Sequence, residues 1–429
     1  MNAPSSSSSS RHVCVLGAGI VGLATAWQLH RDGHHVTVVD SAHTGAGASG
    51  ANGAQLSYSY VQPLADPSLW LQLPRLLLAA DSPLKFRLRM DPHQWAWGLR
   101  FLAACRASVS RNTTAQLLAL AAESRAAFDL LRTQESLACD FSATGKLVLY
   151  PDEASFAGAR RQMALQQSMG TSQQAVSARE AVAIEPALAH YAPRFAGAIH
   201  TPSECAADCL MVCEALQRLL QTRGVRFRFQ TEVTRLVRHG RRIIAADTRE
   251  GGRIEADAFV VALGTGSHRL AAPLGLTVPV YPLKGYSITV PVDATAEGVA
   301  PRVNVTDAKR KVVFARIGER LRVAGMAELV GYGRDIPADR IASLVDSTRD
   351  VFPQAGRFEN VQPWAGLRPA TPTGLPVLGR LPGAPDNLLF NTGHGALGFT
   401  LAFGSAQRVA AALGPALRPV AAGLAAYSA

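Results

Sequence analysis

The chain lacks several features that would assign it to other classes of protein. Beyond the stretch after Arg11, it has no run of about 18 or more apolar residues, so we expect no membrane-spanning helix. It lacks zinc-finger spacings and compact blocks of Lys and Arg, which argues against nucleic acid as a partner although 43 Lys+Arg outnumber 32 Asp+Glu. The apolar stretch after Arg11 continues into a second predicted strand, so we do not interpret it as a signal peptide. We expect a cytoplasmic protein, or one attached to the cytoplasmic face of the membrane.

Cysteine is scarce, and none of the six cysteines occurs after Cys213. This composition gives no disulfide framework. Cys205, Cys209 and Cys213 have the spacing of one helical face, but one helix cannot surround a tetrahedral metal ion with three ligands in a row. We therefore expect no metal site and treat the cysteines, including Cys14 in the first predicted strand, as small buried apolar residues.

The chain does have enough apolar sequence for a large core. Of its 429 residues 48% are hydrophobic, and this length predicts two or three domains. Residues 1–10 contain six consecutive serines, which predicts a disordered tail. The net charge of +11 is spread among apolar residues, so by itself it fits an anionic membrane surface or no specific partner.

A glycine-rich turn near the start of the chain organises the rest. An apolar strand ends at Leu16, and a helix to about Arg31 begins after the turn Gly17-Ala18-Gly19-Ile20-Val21-Gly22. In such a turn the first glycine allows the bend, the second lets a pyrophosphate approach, and the third lets helix and strand pack closely. A strand at 35–39 then ends at Asp40, the place of the acidic residue that binds a ribose. The pattern predicts dinucleotide binding at a helix N-terminus, with a packing turn as the alternative.

A loop of small residues follows at 44–57, directly before Tyr58 and Tyr60. Its glycines and alanines would let it lie flat on a ligand. Its side chains that can hydrogen-bond are Ser49, Asn52, Gln55 and Ser57. The alternative is a flexible surface linker.

Residues 67–106 combine three of the five tryptophans with six cationic and two acidic side chains. Basic residues beside Trp, Phe and Leu are typical of an interfacial membrane contact. Amphipathic helices packed on the same chain explain the pattern at least equally well.

The rest of the chain predicts two kinds of sheet. A strand at 259–263 ends in Gly264-Thr265-Gly266, a second strand-to-glycine turn that points to the same crevice as the first. Strands at 278–290, 311–316 and 321–324 follow one another without helices, which favours a separate, mainly antiparallel sheet. A third glycine-rich helix start lies at 391–395. We therefore predict an α/β fold with a Rossmann-type domain and a second α+β domain.

Together these segments resemble the FAD-dependent D-amino-acid oxidase superfamily and, within it, the branch of D-amino-acid dehydrogenases. The segments that carry the resemblance are the glycine turn with Asp40, SGANGAQLSYSY, VYPLKGYSITVP, RVAGMAELVGY, WAGLRPATPTGLPVLGR and NTGHGALGFTLAFGS. They extend from residue 11 to about 413. The match is loosest in the serine tail and at 67–106.

The resemblance implies a discontinuous FAD-binding domain (11–63, 203–277 and 363–429) and a substrate domain (64–202 and 278–362). It also implies non-covalent FAD, because related sarcosine oxidases attach the flavin to a cysteine in the C-terminal part, where this chain has none. The residues implied to contact the cofactor are Gly17, Ala18, Gly19, Ile20, Val21, Gly22, Asp40, Ser41, Ser49, Asn52, Gln55, Leu56, Ser57, Val233, Gly264, Gly366, Arg368, Gly393, His394, Gly395, Leu397, Gly398 and Thr400.

Arg368, in the sequence GLRP, matches the arginine that binds the substrate carboxylate in this superfamily. A planar guanidinium binds a carboxylate bidentately and in a fixed orientation, which would direct the Cα hydrogen of an amino acid at flavin N5. A surface salt bridge is the alternative for this residue. The weaker pocket candidates are Tyr58, Tyr60, Lys284, Tyr286 and His394.

The implied activity is oxidative deamination of D-amino acids. A neutral amine would lose a hydride to FAD, and water would hydrolyse the imine to a 2-oxo acid and ammonia. The implied electron acceptor is a quinone or another respiratory-chain component, with the protein bound to the inner face of the cytoplasmic membrane. The alternatives are oxidation of N-methyl or cyclic amino acids, such as sarcosine, proline or hydroxyproline, and a non-catalytic FAD- or NAD-binding module.

Overall fold

The computed structural model describes residues 10–67, 84–87, 89–167, 170–292 and 298–414. Most of the predicted serine tail (1–9) and part of the predicted membrane segment (68–83 and 88) lie outside the described residues.

The elements are numbered in chain order. The strands are β1 (His12–Leu16), β2 (His35–Val39), β3 (Gln55–Leu56), β4 (Leu84–Phe86), β5 (Lys146–Tyr150), β6 (Gln174–Ser177), β7 (Gly197–Thr201), β8 (Cys205–Ala206), β9 (Arg226–Arg228), β10 (Val233–His239), β11 (Arg242–Thr248), β12 (Arg253–Glu255), β13 (Ala258–Val261), β14 (Tyr281–Pro291), β15 (Asn304–Asp307), β16 (Val312–Ile317), β17 (Arg320–Leu329), β18 (Gln362–Ala370), β19 (Val377–Gly379) and β20 (Leu388–Thr392). The helices are α1 (Ile20–Arg31), α2 (Pro92–Ala104), α3 (Ala107–Gln134), α4 (Glu153–Gln167), α5 (Ala178–Ile184), α6 (Cys209–Thr222), α7 (Ser267–Ala271), α8 (Ala338–Val351) and α9 (Gly398–Leu413).

The first sheet is the predicted dinucleotide-binding sheet. Its six strands have the order β19-β20-β13-β1-β2-β9, and every neighbouring pair except β19 with β20 is parallel. The carboxyl ends of parallel strands meet at one edge, so the glycine turns after β1, β13 and β20 lie at the same crevice. The predicted convergence of these three segments is therefore confirmed.

Helix α9 occupies the core beside this sheet. It packs against α1 and α3, and Phe128 of α3 contacts the rings of Phe399 and Phe403. Among the described residues, Gly395–Leu413 is the one stretch long and apolar enough to cross a membrane, but most of it is buried inside the protein. Its apolar composition is explained by this packing.

The second sheet has nine strands and is mainly antiparallel, as predicted. Its order is β18-β14-β17-β16-β15-β5-β7-β6, with β4 paired to β17. Only the pairs of β15 with β5 and of β17 with β4 are parallel in the described part of the chain. A third, smaller sheet contains β10, β11 and β12.

Two segments pack in a different part of the fold from the domain to which we assigned them. Strand β18, which we placed in the FAD-binding domain, is hydrogen-bonded to β14 in the nine-stranded sheet. Helix α3, which we placed in the substrate domain, packs on α9 in the core of the first sheet. It begins at Ala107, and its first turns contain the buried residues Ser110, Thr113 and Thr114.

The three cysteines considered as metal ligands also differ from the prediction. Cys205 lies in β8, whereas Cys209 and Cys213 lie in α6, so they do not share one helix. All three are buried as free thiols.

The glycine turn generates a stability prediction. A Cβ at Gly22 would lie 1.9 Å from the carbonyl oxygen of Gly17, whereas a Cβ at Gly19 would lie 3.4 Å from the nearest atom, Ser49 Oγ. Gly22→Ala should therefore lower the free energy of unfolding by about 3 kcal/mol or more, and the matched Gly19→Ala control by about 1 kcal/mol at most. Urea unfolding measures both variants. Equal losses would show that α1 does not depend on this close packing.

Candidate functional site

The glycine turn forms a cradle that fits a phosphate. Gly17 has φ +114°, and a Cβ there would lie 2.4 Å from the carbonyl oxygen of Ala262, so only glycine fits. Gly19 is the N-cap of α1 and provides no side-chain cap, and the first turn contains no acidic residue. Ser49 Oγ accepts a hydrogen bond from the backbone N–H of Ile20 at 3.1 Å, which fixes the following loop beside the helix N-terminus. This end of α1 is a site for an anion.

The Asp40 carboxylate lies beside this turn, at the end of β2. Its oxygens accept hydrogen bonds from the backbone N–H groups of Ala18 and Ala42 at 2.7 and 2.8 Å. The backbone carbonyl of Asp40 accepts from Thr231, which places the start of β10 with Val233 near this end of the crevice. Ser41 is exposed at the same place.

The third glycine turn brings the far end of the chain to the crevice. Gly393 and Gly395 have φ of +84° and +56°, and α9 begins at Gly398 without a side-chain cap. Thr392 Oγ1 donates a hydrogen bond to the carbonyl of Gly264, which joins two of the glycine turns. Thr400 Oγ1 accepts from the backbone N–H of Ser57 at 3.3 Å.

The imidazole of His394 faces away from this crevice into α9. Its Nε2 lies 2.9 Å from Ser405 Oγ, and burial lowers the pKa of the ring to about 3. The ring is neutral and is held by its contact with α9, so packing explains its position. The backbone of His394 remains the part predicted to contact the flavin.

The loop after Ser49 crosses the face of the nine-stranded sheet. Ser287 of β14 donates to the carbonyl of Ala51, and Arg322 of β17 donates to the carbonyl of Asn52. Gln55 Nε2 donates to the carbonyls of Val305 and Phe314, so this amide binds the sheet. Leu56 is fully buried. The loop is therefore a fixed connection between the two sheets, and the linker alternative is wrong for its described conformation.

Arg368 extends over the sheet face that meets this loop. Its Nη1 donates to the carbonyl of Met326 at 2.7 Å. Burial lowers the pKa of its guanidinium to about 10, and among the described residues no carboxylate pairs with it. The surface salt bridge proposed as the alternative is therefore not what the structure contains. An uncompensated cation of this kind can bind an anion.

Sequence reasoning did not single out the group formed by Gly285, which makes room for Arg368, and Gly366, which makes room for the Trp364 ring. Gly285 and Gly366 are direct partners across β14 and β18. A Cβ at Gly285 would lie 2.4 Å from the Arg368 guanidinium carbon, and one at Gly366 would lie 2.0 Å from the Trp364 ring. Gly285 interrupts a strand pattern in the sequence, which is a signal of close approach that could have identified it.

Lys284 and Tyr286 do not join this group. Successive residues of a strand point to opposite faces, so both side chains lie on the face of β14 that is opposite to Gly285 and Arg368. Lys284 Nζ pairs with Asp335 at 3.0 Å, and the Tyr286 hydroxyl donates to Glu328 at 2.7 Å. The structure thus contradicts their prediction as pocket residues.

Tyr58 and Tyr60 separate in a similar way. The Tyr58 ring packs in the core of the first sheet, with the Arg125 guanidinium 5.7 Å from its centroid. The Tyr60 ring instead lies 4.4 Å from the buried ammonium of Lys146. Tyr58 is a structural residue, and Tyr60 belongs to a cluster that the sequence did not reveal.

This cluster joins β5 to the loop. Lys146, at the start of β5, donates to Ser57 Oγ at 2.9 Å. The Glu204 carboxylate accepts the backbone N–H groups of Tyr58 and Ser59, each at 2.7 Å. Both side chains are almost fully buried, and burial lowers the pKa of Lys146 to about 8 while it raises the pKa of Glu204.

These features together fit FAD. The cradle at Gly17 to Gly22 and the open start of α1 suit the pyrophosphate, and Asp40 suits the adenosine ribose. The start of α9 supplies a second positive helix end for the flavin.

The sequence pattern of the family described as FAD dependent oxidoreductase (DAO) matches residues 12–412. The chain belongs to the DAO family. The match confirms three predictions from the sequence, namely the family resemblance, the fold class and FAD as the cofactor. The match spans both sheets and all three glycine turns.

Relatives in the DAO family cover nearly the whole chain. The chain is 48% identical over 407 residues to D-amino acid dehydrogenase 2 of Ralstonia nicotianae, covering 93% of this chain and 95% of that protein. It is 43% identical over 401 residues to D-amino acid dehydrogenase of Paramagnetospirillum magneticum, covering 93% and 94%.

Solved structures share the fold at lower identity. Glycine oxidase from Geobacillus kaustophilus has a TM-score of 0.74 at 22% identity, covering 96% of each chain. L-proline dehydrogenase from P. horikoshii has a TM-score of 0.68 at 18% identity, again covering 96% of each. At these identities the likeness concerns the fold alone.

The Lys146 cluster generates a prediction on pH dependence. The pKa of Lys146 falls from 10.5 to about 8 on folding, so between these values the unfolded chain binds more protons and stability rises with pH. Lys146→Met should remove this rise, which is at most about 3 kcal/mol. Urea unfolding from pH 7 to 10.5 measures it, with the exposed Lys309→Met as control. Coincident profiles for wild type and Lys146→Met would contradict the assignment.

Proposed function

We propose that this DAO-family protein is an FAD-dependent D-amino-acid dehydrogenase that deaminates its substrate oxidatively. The observation that carries the proposal is the half-buried guanidinium of Arg368, which lacks an acidic partner among the described residues. An amino-acid carboxylate would supply the missing negative charge. The name shared by the relatives at 48% and 43% identity supports a primary D-amino acid as the substrate.

FAD would be held by the three glycine turns and the loop between the sheets. The ADP part would contact Gly17 to Gly22 and Asp40, with Val233 near the adenine. The flavin would lie toward Ser49, Asn52, Ser57, Gly366 and the start of α9. The binding would be non-covalent, because the chain has no cysteine after Cys213 and the free thiols are buried.

Arg368 would bind the substrate carboxylate and fix the orientation of Cα. The carbonyl of Met326 accepts a hydrogen bond from Nη1 of Arg368. This contact with the sheet fixes the orientation of the guanidinium and of its remaining N–H groups. Bound FAD supplies the hydride acceptor. The nine-stranded sheet and the loop at 49–57 would exclude water from the reacting atoms until the imine leaves for hydrolysis.

Among the residues that the structure describes, no titratable side chain near the site acts as a general base. His394 is neutral with a pKa of about 3 and is bonded to Ser405. The amine would therefore lose its ammonium proton before it binds productively, and the chain would contribute orientation and electrostatics. Oxidation of cyclic or N-methyl amino acids uses the same geometry and is the second candidate.

The test is flavin reduction by a panel of amino acids without oxygen. We expect bleaching with D-amino acids but not with L-amino acids, proline or sarcosine. Arg368→Ala should weaken productive binding at least roughly tenfold, since a charge-assisted contact contributes about 1.5–3 kcal/mol. Arg368→Lys should restore it in part, because a point charge does not fix the carboxylate plane. Unchanged reduction kinetics in both variants would remove Arg368 from the site.

We also propose that the electrons pass to a quinone and that the protein binds the inner face of the cytoplasmic membrane. Three of the seven large apolar side chains exposed in the described part of the chain belong to one patch, Met90, Trp95 and Leu99. Arg87, Arg89, Arg100 and Arg106 are exposed around it. This apolar and basic patch suits an anionic lipid surface.

Vesicle binding tests the membrane proposal. The protein should co-sediment with phosphatidylglycerol vesicles at low salt and less at 1 M salt. Each basic residue near an anionic surface contributes roughly 1 kcal/mol of attraction, and salt screens this attraction. Leu99→Glu should reduce binding about tenfold, because it removes an apolar contact and adds a negative charge. Ile244→Glu, at an exposed aliphatic residue of β11, is the matched control. Equal vesicle binding by the two variants would show that the patch of Met90, Trp95 and Leu99 does not contact the membrane.

A further inference from the structure

An open cleft adjoins the apolar patch. It has a volume of about 500 Å³ and is lined by Arg87, Arg89, Met90, Asp91, Tyr281, Gly331 and Tyr332. The turn before α2 that forms one wall is held by Gln94, whose amide accepts from Arg89 N–H and donates to the Arg87 carbonyl. The Trp95 indole donates to the Arg89 carbonyl. The wall is therefore a defined part of the fold.

The polar groups of the cleft are mostly hydrogen-bond donors. The Arg89 guanidinium lies over Gly331, where a Cβ would be 2.9 Å from it. The Arg269 guanidinium lies 4.3 Å from the centre of the Tyr332 ring, and the same arginine bonds the Tyr332 hydroxyl. The carboxylate of Asp91 is already bonded, to the backbone N–H of His93 and to the Tyr281 hydroxyl. With Arg87, Arg89 and Tyr332 as donors, the cleft thus favours a ligand with acceptor oxygens.

Aromatic and apolar groups complete the cleft. The rings of Tyr281 and Tyr332 have centroids 6.0 Å apart and an interplanar angle of 63°. Met90, at the mouth, is fully exposed and leads to Trp95 and Leu99 on α2. Because Tyr281 is fully buried, a flat ring with carbonyl oxygens could lie against the partly exposed ring of Tyr332, while an apolar tail follows Met90, Trp95 and Leu99 toward a lipid surface.

One residue that lines the cleft, Tyr281, lies on the sheet face that bears Arg368. Tyr281, Leu283 and Gly285 alternate along β14 and point to one face, and the Arg368 guanidinium lies over Gly285. Gly285 lies four residue steps along β14 from Tyr281, which is about 13 Å along a strand. A ligand in the cleft would be a near neighbour of the amino-acid site without competing for Arg368.

We infer that this cleft binds the head group of the quinone that accepts the electrons, a conclusion that rests on the proposed function. The amino acid loses two electrons and two protons in becoming an imine, and the quinone gains two electrons and two protons in becoming a quinol. FAD carries the electrons between them. Arg89 and Tyr332 donate hydrogen bonds to the quinone oxygens, and the open mouth admits protons from water.

Separate half-reactions test this inference. Photoreduced holoenzyme is mixed with a short-chain ubiquinone or with ferricyanide, so the measurement does not depend on amino-acid oxidation. We expect Arg89→Met and Tyr332→Phe each to lower the rate constant for quinone about tenfold while the ferricyanide rate stays unchanged. Calorimetric titration of oxidised holoenzyme with the same quinone should show an equal loss of affinity. Arg179→Met, at an exposed arginine of α5, is the control.

The outcomes separate the two proposals. Wild-type rates with quinone in both cleft variants would overturn the assignment of the cleft, whether or not D-amino acids reduce the flavin. Loss of flavin reduction by acidic D-amino acids, with unchanged quinone rates, would make the cleft a side-chain subsite and overturn the inference. Failure of every amino acid to reduce wild-type flavin would instead contradict the proposed function alone.

Discussion

The half-buried guanidinium of Arg368 is partly desolvated and has no acidic partner among the described residues. Such a group costs free energy unless a ligand supplies negative charge. The sheet nevertheless holds Arg368 in place. Gly285 and Gly366 leave the space above two neighbouring strands, and Met326, with φ +63° at an irregularity between β14 and β17, turns its carbonyl toward Nη1. Backbone strain at a non-glycine residue is typical of functional sites. The local geometry is therefore that expected of an anion-binding residue rather than of one that stabilises the fold.

The loop from Ser49 to Tyr60 makes the two sheets a single site. At one end Ser49 binds the start of α1, in the middle Asn52 and Gln55 bind strands of the large sheet, and at the other end Ser57 binds Lys146. Since almost every contact is a hydrogen bond with a buried partner, breaking one would leave a buried polar group unsatisfied. A cofactor bound against this loop would stabilise both sheets together, because neither can move without breaking those bonds.

Sequence patterns predicted the first sheet well because its signals are local. The turn at Gly17 to Gly22, Asp40 and the turn at Gly393 each follow directly from strand-turn-helix order. It is harder to predict which face of a long antiparallel strand a residue occupies. We placed Lys284 and Tyr286 in the pocket, although Gly285 between them is the residue that faces Arg368. Lys146 had no signal, because a lysine at the start of an apolar strand is usually exposed, and its burial depends on Ser57, 89 residues earlier. The positions of α3 and β18 depend on tertiary packing that composition does not encode.

The Arg368 site and the cleft with Arg87 and Arg89 differ in their exposure to water. This difference determines which kind of ligand each can bind. Arg368 is half-buried and partly desolvated, so its interaction with a carboxylate is stronger than that of an exposed arginine and depends on orientation. Arg87 and Arg89 are exposed, so water and salt screen them and they contribute mainly attraction and hydrogen-bond donors. Strict geometry is needed where a hydride must leave Cα in one direction. Electron transfer to an acceptor tolerates a looser fit, and an open cleft beside an apolar surface is suited to that requirement.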